Sequence, residues 1–290
     1  MALDRFFTLY LFRPLLSLRK NRRTDRTLPV LMYHSISDDP ESDKADYFKI
    51  CTRPQRFRDH MEFLYKNGYR GVSLQEGLEE LNTPKKADTQ AVAITFDDGF
   101  RDFYTEAWPA MQKYEFTATM YLPTAYIGDA TKSFKGKECL NWSEVRELDH
   151  GGIEFGSHTV NHPKLVELGW SEINKELTES KQCIEDKLGK PAHSFAYPYA
   201  YPQQDIEFAI RLTNMIEECG YGNCVTTQIG EVRPSDNRFQ LNRLPANSAD
   251  DDSLFGAKLT GAYDWLAKLQ KAKKILGKKH AINKPTQDVC

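Results

Sequence analysis

Short apolar runs alternate with segments of helical periodicity along most of the 290-residue chain. The apolar runs predict strands at 29–34, 71–74, 91–96, 117–122, 153–157, 194–197, 224–227 and 240–244. Between them, apolar residues recur three and four positions apart, which predicts helices at 54–66, 75–81, 101–114, 142–148, 170–188 and 205–219. Because strand and helix alternate without an all-α or all-β block, we expect a parallel α/β sheet, closed or nearly closed.

Five reactive residues fall at or just after the ends of predicted strands: His34, Asp97, Asp98, His158 and Tyr199. In a parallel barrel the carboxyl ends of the strands meet on one face, and chemistry gathers there. We therefore expect these five side chains to share one site.

Two pairs of residues within this set suggest a metal site. The adjacent carboxylates of Asp97 and Asp98 repel each other unless a cation lies nearby. His158 and His162 stand one helical turn apart, so both rings can face one point. Two imidazoles and one carboxylate leave a coordination position open for water, as catalytic zinc sites do. The spare carboxylate could then accept a proton from that water.

Each of these signals also has a purely structural interpretation. An H-x-x-x-H pair occurs on many surface helices without a metal. The Asp97-Asp98-Gly99 segment could equally form a turn or cap a helix. A cap needs only one carboxylate, however, and the two pairs occur together after predicted strands.

Three segments resemble the leading motifs of the polysaccharide deacetylases, the NodB-homology family of carbohydrate esterases: TFDDG at 95–99, SHTVNHP at 157–163 and FAYPYA at 195–200. The likeness covers roughly 28–245. It implies a distorted (β/α) barrel of about seven parallel strands and removal of acetate from an N-acetylated sugar. It further implies that Asp97 is the general base. Asp98, His158 and His162 would hold a divalent metal, with zinc as the first expectation.

Two departures from the family pattern concern the remaining catalytic groups. The third motif lacks the arginine that orients the base in the family, and Arg243 in the segment LNRLP is the candidate replacement, unless it is a plain surface arginine. The backbone N–H of Tyr199 can still serve the oxyanion, because that role needs only the main chain. The late Leu-x-His motif is absent. LMYH at 31–34 resembles this motif, moved to the front of the domain as in the circularly permuted branch of the family. That branch includes deacetylases of poly-N-acetylglucosamine. His34 is therefore the expected general acid, unless it is a core histidine.

The expected function is therefore metal-dependent removal of N-acetyl groups from an amino sugar in a polysaccharide or glycoconjugate precursor. A related amidase or O-acetyl esterase would use the same site. A third hypothesis is a non-catalytic carbohydrate-binding relative, and only the missing motif arginine supports it. Exposed aromatic rings are expected along a saccharide groove, and Trp142 and Tyr197 are the main candidates, with Tyr126 and Tyr201 beside them. The alternative for each is a ring packed in the core.

Charge and composition add limits on partners and location. The net charge of −2 gives no general attraction to nucleic acid. Residues 1–26 carry seven Lys/Arg among apolar residues, too few and too interrupted to span a bilayer and without a secretory cleavage site. Peripheral contact with the inner face of a membrane is one expectation for this segment, and a helix packed on the domain is the other.

The six cysteines show no disulfide or zinc-ligand spacing, so we expect free thiols and a cytoplasmic location. The chain is expected to divide into a basic amphipathic segment at 1–27, a deacetylase domain at 28–263 and a basic tail at 264–290.

Overall fold

Seven parallel strands close into a barrel in the computed structural model of the chain, which describes residues 3–15, 26–41, 49–83, 89–267 and 269–270. The strands are β1 Val30–Tyr33, β2 Ser35–Ile36, β3 Cys51–Thr52, β4 Tyr69–Val72, β5 Gln90–Phe96, β6 Thr119–Leu122, β7 Ser133–Phe134, β8 Lys137–Glu138, β9 Glu154–Ser157, β10 Ser194–Ala196, β11 Asn223–Ile229 and β12 Leu241–Pro245. Around the barrel the order is β1, β12, β11, β10, β9, β6, β5 and back to β1. The predicted parallel α/β barrel of about seven strands is confirmed.

Closure of the barrel depends on β1, which lies between the last strand and an early one. Leu31 is in register with Leu244 of β12, and Tyr33 with Phe96 of β5. The strand β4 pairs only with the first half of β5, outside the closed ring. The first and last strands of the domain are thus neighbours, as a circularly permuted barrel requires.

Helices connect the strands and cover the barrel. Their bounds are Leu3–Phe7, Pro54–Lys66, Leu74–Asn82, Trp108–Gln112, Trp142–His150, Trp170–Leu188, Ile206–Glu218 and Asp252–Leu259, with π-helical segments at Thr8–Phe12 and Phe103–Ala107. Asn141 is the N-cap of the helix Trp142–His150, because its side chain accepts hydrogen bonds from the backbone N–H groups of Ser143 and Glu144. The Glu144 carboxylate in turn accepts a hydrogen bond from the backbone N–H of Asn141, which completes a capping box.

The structure corrects several predicted boundaries. The single helix predicted at 101–114 is a π-helical segment followed by a short α-helix. Pro109, in the first turn of that α-helix, lacks the N–H that one continuous helix would use there. The strand predicted at 71–74 is Tyr69–Val72, because Ser73 caps the next helix. The two-residue strands β2, β3, β7 and β8 were missed, since two residues are too short to show alternation.

Aromatic packing fixes the end of β5, from which the two aspartates follow. The ring of Phe96 lies 4.6 Å from Phe103, 5.3 Å from Tyr33 and 5.8 Å from Phe57, and all four side chains are buried. Burying rings of this size contributes about 2–3 kcal/mol each. Such packing leaves the following residue, Asp97, little freedom of position.

The N-terminal segment packs on the end of the domain. Phe12 stacks on Trp265 at 5.0 Å, and the Trp265 indole N–H donates to the Thr8 hydroxyl. The Phe7 ring also meets Trp265 edge-on at 5.7 Å. Other large apolar side chains of the segment remain exposed: Phe6, Tyr10, Leu11 and Leu15. Among the described residues, no helix has the length and apolar character needed to cross a bilayer.

The packed helix is one of the two expectations for this segment, and it does not exclude membrane contact by the opposite face. The domain limits at 27 and 263 stay predictions, and most of the predicted basic tail lies outside the described residues. The expectation of free thiols is confirmed for the described cysteines: Cys51, Cys139, Cys183, Cys219 and Cys224.

Candidate active site

The carboxyl ends of neighbouring barrel strands bring the predicted residues together. Asp97 and Asp98 follow β5, and the Asp97 N–H donates to the Tyr33 carbonyl just before His34. His158 follows β9, where its N–H donates to the carbonyl of Leu122 on the adjacent strand. The cleft above these residues has a volume of about 380 Å³, and its wall includes His34, Asp97, His158, His162 and Tyr199. The expected shared site is present.

Three of these residues converge as a metal-binding set would. Ligand atoms of Asp98, His158 and His162 all lie within 4.8 Å of one another, and the three side chains are buried. The Nε2 atoms of His162 and His158 lie 3.2 Å and 3.7 Å from the same oxygen, Oδ1 of Asp98. Among the described residues that oxygen has no hydrogen-bond partner.

The orientation of His158 supports this interpretation. Its Nδ1 lies 2.8 Å from the carbonyl oxygen of Ala196, to which only a protonated nitrogen can donate. In the neutral ring, Nε2 then carries the lone pair and faces Asp98. Burial lowers the pKa of His158 to about 3, so the ring is neutral at ordinary pH. A carbonyl that fixes the far nitrogen of a ligating histidine is a common feature of metal sites.

Asp98 is also held by a residue that the sequence did not suggest. Lys135, at the turn of the β7–β8 hairpin, places its Nζ 3.1 Å from Oδ2 of Asp98. Burial would raise the pKa of Asp98, but the nearby His162 ring and the positive charge of Lys135 hold that pKa below its ordinary value. The only sequence signal is Lys135-Gly136, a short turn far from the motifs.

Asp97 makes a different set of contacts, because its partner is an arginine. The two terminal nitrogens of Arg243 donate to the two carboxylate oxygens of Asp97, both at 2.7 Å. Arg243 also donates to the Thr226 carbonyl and the Thr95 hydroxyl, and its side chain is fully buried inside the barrel. Burial would raise the pKa of Asp97, but Arg243 lowers it to about 2. Arg243 is therefore not a surface arginine.

His34 lies at the edge of the same cleft. Its Nε2 is 3.8 Å from Oδ2 of Asp97, and its side chain is 20% exposed. Burial lowers the pKa of His34, although the charges of Asp97 and Asp98 oppose this effect. The alternative of a histidine enclosed in the core does not fit this partly open position.

Backbone strain is concentrated at the site. The described residues include seven non-glycine residues with φ between +43° and +74°. Five of them form or flank the cleft: Asp98, Lys135, Thr159, His162 and Tyr199. Such backbone is costly for residues with a Cβ and gathers where function requires a particular side-chain direction.

Tyr199 combines an exposed ring with a free amide. Its side chain is 45% exposed at the mouth of the cleft, and its ring meets His162 edge-on at 4.6 Å. Within the described residues its backbone N–H makes no hydrogen bond.

The expected aromatic groove is wrong for the two main candidates. Tyr197 is 1% exposed and packs edge-on against the equally buried Tyr201, while Trp142 is 3% exposed. Both predictions failed because an aromatic ring next to a motif can point into the core as easily as into the cleft. Tyr126 contacts Phe134 of the β7–β8 hairpin at 4.2 Å. The exposed ring at the mouth belongs to Tyr199.

Comparison with known proteins identifies the family. A family model described as polysaccharide deacetylase matches residues 84–217. The Bacillus subtilis protein YxkH is named as a polysaccharide deacetylase. It is 30% identical to this chain over 231 residues, which cover 79% of this chain and 75% of YxkH. The chain belongs to the polysaccharide deacetylase family. The resemblance drawn from the motifs is confirmed, and so is the prediction of a hydrolase.

Other relatives carry more specific names. The poly-β-1,6-N-acetyl-D-glucosamine N-deacetylase of Escherichia coli K12 is 29% identical over 140 residues, which cover 45% of this chain but only 20% of that protein. The protein of the same name from Staphylococcus aureus N315 is 24% identical over 198 residues, 65% of each chain.

Solved structures share the fold. A Streptococcus pyogenes deacetylase, PplD, in complex with acetate matches with a TM-score of 0.68 at 24% identity, over 81% of this chain and 99% of that chain. IcaB from Ammonifex degensii matches with a TM-score of 0.65 at 22% identity, over 81% and 97%. At these identities the likeness concerns the fold alone.

Proposed function

We propose that the chain is a metal-dependent deacetylase that removes N-acetyl groups from an amino sugar in a polysaccharide or a glycoconjugate precursor. The observation that carries the proposal is the unsatisfied Oδ1 of Asp98, buried and faced by the Nε2 atoms of His158 and His162. Three electron-pair donors directed at one another favour a cation between them. The names of the Escherichia coli and Staphylococcus aureus relatives support an N-acetylated glucosamine polymer as the first substrate to test.

Asp98, His158 and His162 are the residues that would hold the metal. A set of two imidazoles and one carboxylate suits zinc first, although other divalent metals accept it. Bound there, the metal would polarise an acetamide carbonyl and lower the pKa of a water molecule.

Asp97 is the proposed general base. It follows Asp98 directly, yet its carboxylate is turned to Arg243 and takes no place among the three ligand residues. The paired guanidinium keeps Asp97 ionised and fixes both its oxygens, so the carboxylate is ready to take a proton from the attacking water. Arg243 acts here as a positioning residue.

Tyr199 and His34 complete the proposed reaction. The unpaired backbone N–H of Tyr199 would donate to the oxygen that becomes negative when water adds to the carbonyl carbon. The carbon–nitrogen bond then breaks, and His34 would give a proton to the departing amine. A lowered pKa makes the protonated His34 a stronger acid. The products are acetate and a free amino sugar.

Acetate release is the direct test. The purified chain is incubated with zinc and with N-acetylglucosamine oligomers, and in parallel with an O-acetylated sugar and with excess chelator. We expect release from the N-acetylated oligomers that the chelator stops. Release from the O-acetylated sugar alone would identify an esterase. Bound metal without turnover on either would favour a carbohydrate-binding protein.

We also propose that the exposed face of the N-terminal segment contacts an anionic membrane surface. Phe6, Tyr10 and Leu15 are 48%, 63% and 48% exposed on a helix whose other face is held by Trp265. Of the seven Lys/Arg within residues 1–26, Arg5 pairs with Asp251 and Arg26 donates to the carbonyls of Glu80 and Thr83. The other five supply matching charge for anionic lipid headgroups.

Vesicle co-sedimentation tests this contact. Replacing both Phe6 and Tyr10 by Ser should reduce binding to vesicles with anionic lipid about tenfold or more, without changing release of acetate from a soluble oligomer. Tyr65→Ser, at a 60% exposed tyrosine on another helix, is the matched control. Equal binding of all three proteins would show that this face is not the contact.

A further inference from the structure

Lys135 occupies an unusual place for a lysine. It lies at the turn between β7 and β8, with φ of +50° followed by +78° at Gly136, which aims the side chain inward over the cleft. Its Nζ lies 3.1 Å from Oδ2 of Asp98 and near the rings of Phe134 and Tyr199, at 4.6 Å and 5.6 Å. The proposed reaction gives this ammonium no role.

The ion pair between Lys135 and Asp98 differs from an ordinary surface salt bridge. The Asp98 side chain is only 1% exposed, whereas Lys135 is 35% exposed and can reach solvent. An exposed ion pair contributes little, but a buried carboxylate without a counter-charge is strongly unfavourable. Among the described residues, Lys135 is the lysine that pairs with Asp98, while Arg243 pairs with Asp97. The ammonium therefore neutralises Asp98 when no metal is there.

A metal at the same carboxylate changes the sign of this interaction. Lys135 would then stand a few ångströms from a divalent cation, and like charges at that distance repel strongly inside a protein. The base of the hairpin cannot easily move, because Phe134 packs on Tyr126 and on the His162 ring. The flexible lysine side chain can move instead.

We propose that Lys135 is a built-in counter-ion of Asp98 that competes with the metal. It stabilises the metal-free site and weakens metal binding, and metal binding releases its ammonium toward the mouth of the cleft beside Tyr199. By linkage, an interaction that draws the ammonium away from Asp98 strengthens metal binding, and bound metal strengthens that interaction by the same factor. This inference rests on the proposed metal site.

Metal affinity measured by chelator competition tests the inference without relying on turnover. Lys135→Met keeps the length of the side chain but removes the charge, and should bind zinc about tenfold more tightly or better than wild type. The same variant should melt at a lower temperature than wild type when both are free of metal. Lys135→Arg keeps the charge and should stay within about threefold of the wild-type affinity.

Lys137→Met is the matched control, because Lys137 lies on the same hairpin but pairs with Asp39 outside the site. Its zinc affinity should equal that of wild type. If Lys135→Met bound zinc no more tightly than wild type, the competition would be disproved while the metal site stood. If wild type bound no divalent metal, the proposed function itself would fail, and this inference with it.

Discussion

Tyr33 ends β1 and its side chain joins one buried polar cluster, whereas the next side chain, His34, borders another, and the two clusters are satisfied in different ways. We call the first the His60 network; it consists of Tyr33, His60, Asp250 and Lys258. His60 lies 2.9 Å from the Tyr33 hydroxyl and 2.7 Å from the Asp250 carbonyl, and the Asp250 carboxylate lies 2.7 Å from Nζ of Lys258. No buried polar side-chain atom of this network lacks a partner.

The second cluster, the carboxylate site, consists of Asp97, Asp98, His158, His162 and Arg243. It is equally buried, but Oδ1 of Asp98 and Nδ1 of His162 have no hydrogen-bond partner within the described residues. Each unsatisfied buried group costs about 1–3 kcal/mol. In the His60 network, the folded chain itself supplies a hydrogen-bond partner for every buried polar side-chain atom. In the carboxylate site the folded chain leaves Oδ1 of Asp98 without a partner, at the place where we propose the metal.

Exchanging one histidine in each cluster should give the largest contrast. His162→Gln removes a proposed ligand, so we expect zinc binding to fall at least about 100-fold and turnover about 10³-fold or more, with a small change in unfolding free energy. His60→Gln can still accept from Tyr33 and donate to Asp250, and should keep both zinc binding and turnover. Chelator competition and acetate release measure the two effects. Normal turnover in His162→Gln would show that His162, like His60, has only a structural role.

Cutting the two buried ion pairs should give similar losses of stability but different losses of function. Arg243→Met leaves Asp97 unpaired, and Lys258→Met leaves Asp250 unpaired. Each should lower the unfolding free energy by about 3–5 kcal/mol in urea titrations. Only Arg243→Met should reduce kcat of the folded protein. Without the guanidinium, burial raises the pKa of Asp97, so the acidic limb of its rate profile should move to higher pH. A similar kcat loss in Lys258→Met would contradict this separation.

The pH dependence of stability should show the smallest effect, and it belongs to the His60 network. Burial lowers the pKa of His60 to about 4 from an ordinary value of 6.5. The unfolded chain therefore binds a proton below pH 6.5 that the folded chain does not. Stability should be full above pH 6.5 and fall by up to about 3 kcal/mol between pH 6.5 and 4.

His60→Gln isolates that contribution, because every other ionisable group is the same in the two proteins. Urea unfolding at pH 7 and pH 5 should show a smaller difference for His60→Gln than for wild type. Identical differences for the two proteins would mean that His60 does not carry this pH dependence.

Local pattern was enough to predict the barrel and the core of the site. Asp97 and Asp98 end a clear apolar strand, and the two histidines follow another, so parallel topology alone brings them together. Arg243 could be named as a candidate only because the third motif lacked its arginine, and the structure places it on Asp97. Its contact follows from barrel closure, which joins residues 146 positions apart.

The remaining residues depended on tertiary packing. Lys135 reaches Asp98 from a hairpin of two-residue strands, a unit too short for its pattern to be recognised. Trp142 and Tyr197 were assigned to the cleft by residue type, although only the packing of neighbouring helices decides which way a ring points. No local pattern indicated the His60 network, because its members come from three separate elements: Tyr33 from β1, His60 from the helix Pro54–Lys66, and Asp250 and Lys258 from the region of the helix Asp252–Leu259.

The adjacent aspartates are proposed to have different tasks, with Asp98 on the metal and Asp97 as the base. Asp97→Asn tests this assignment most directly, when zinc content and acetate release are measured on the same preparation. We expect one equivalent of zinc with near-normal affinity and a loss of turnover of about 10²–10⁴-fold or more. Near-normal turnover, or loss of the zinc along with the activity, would contradict the assignment.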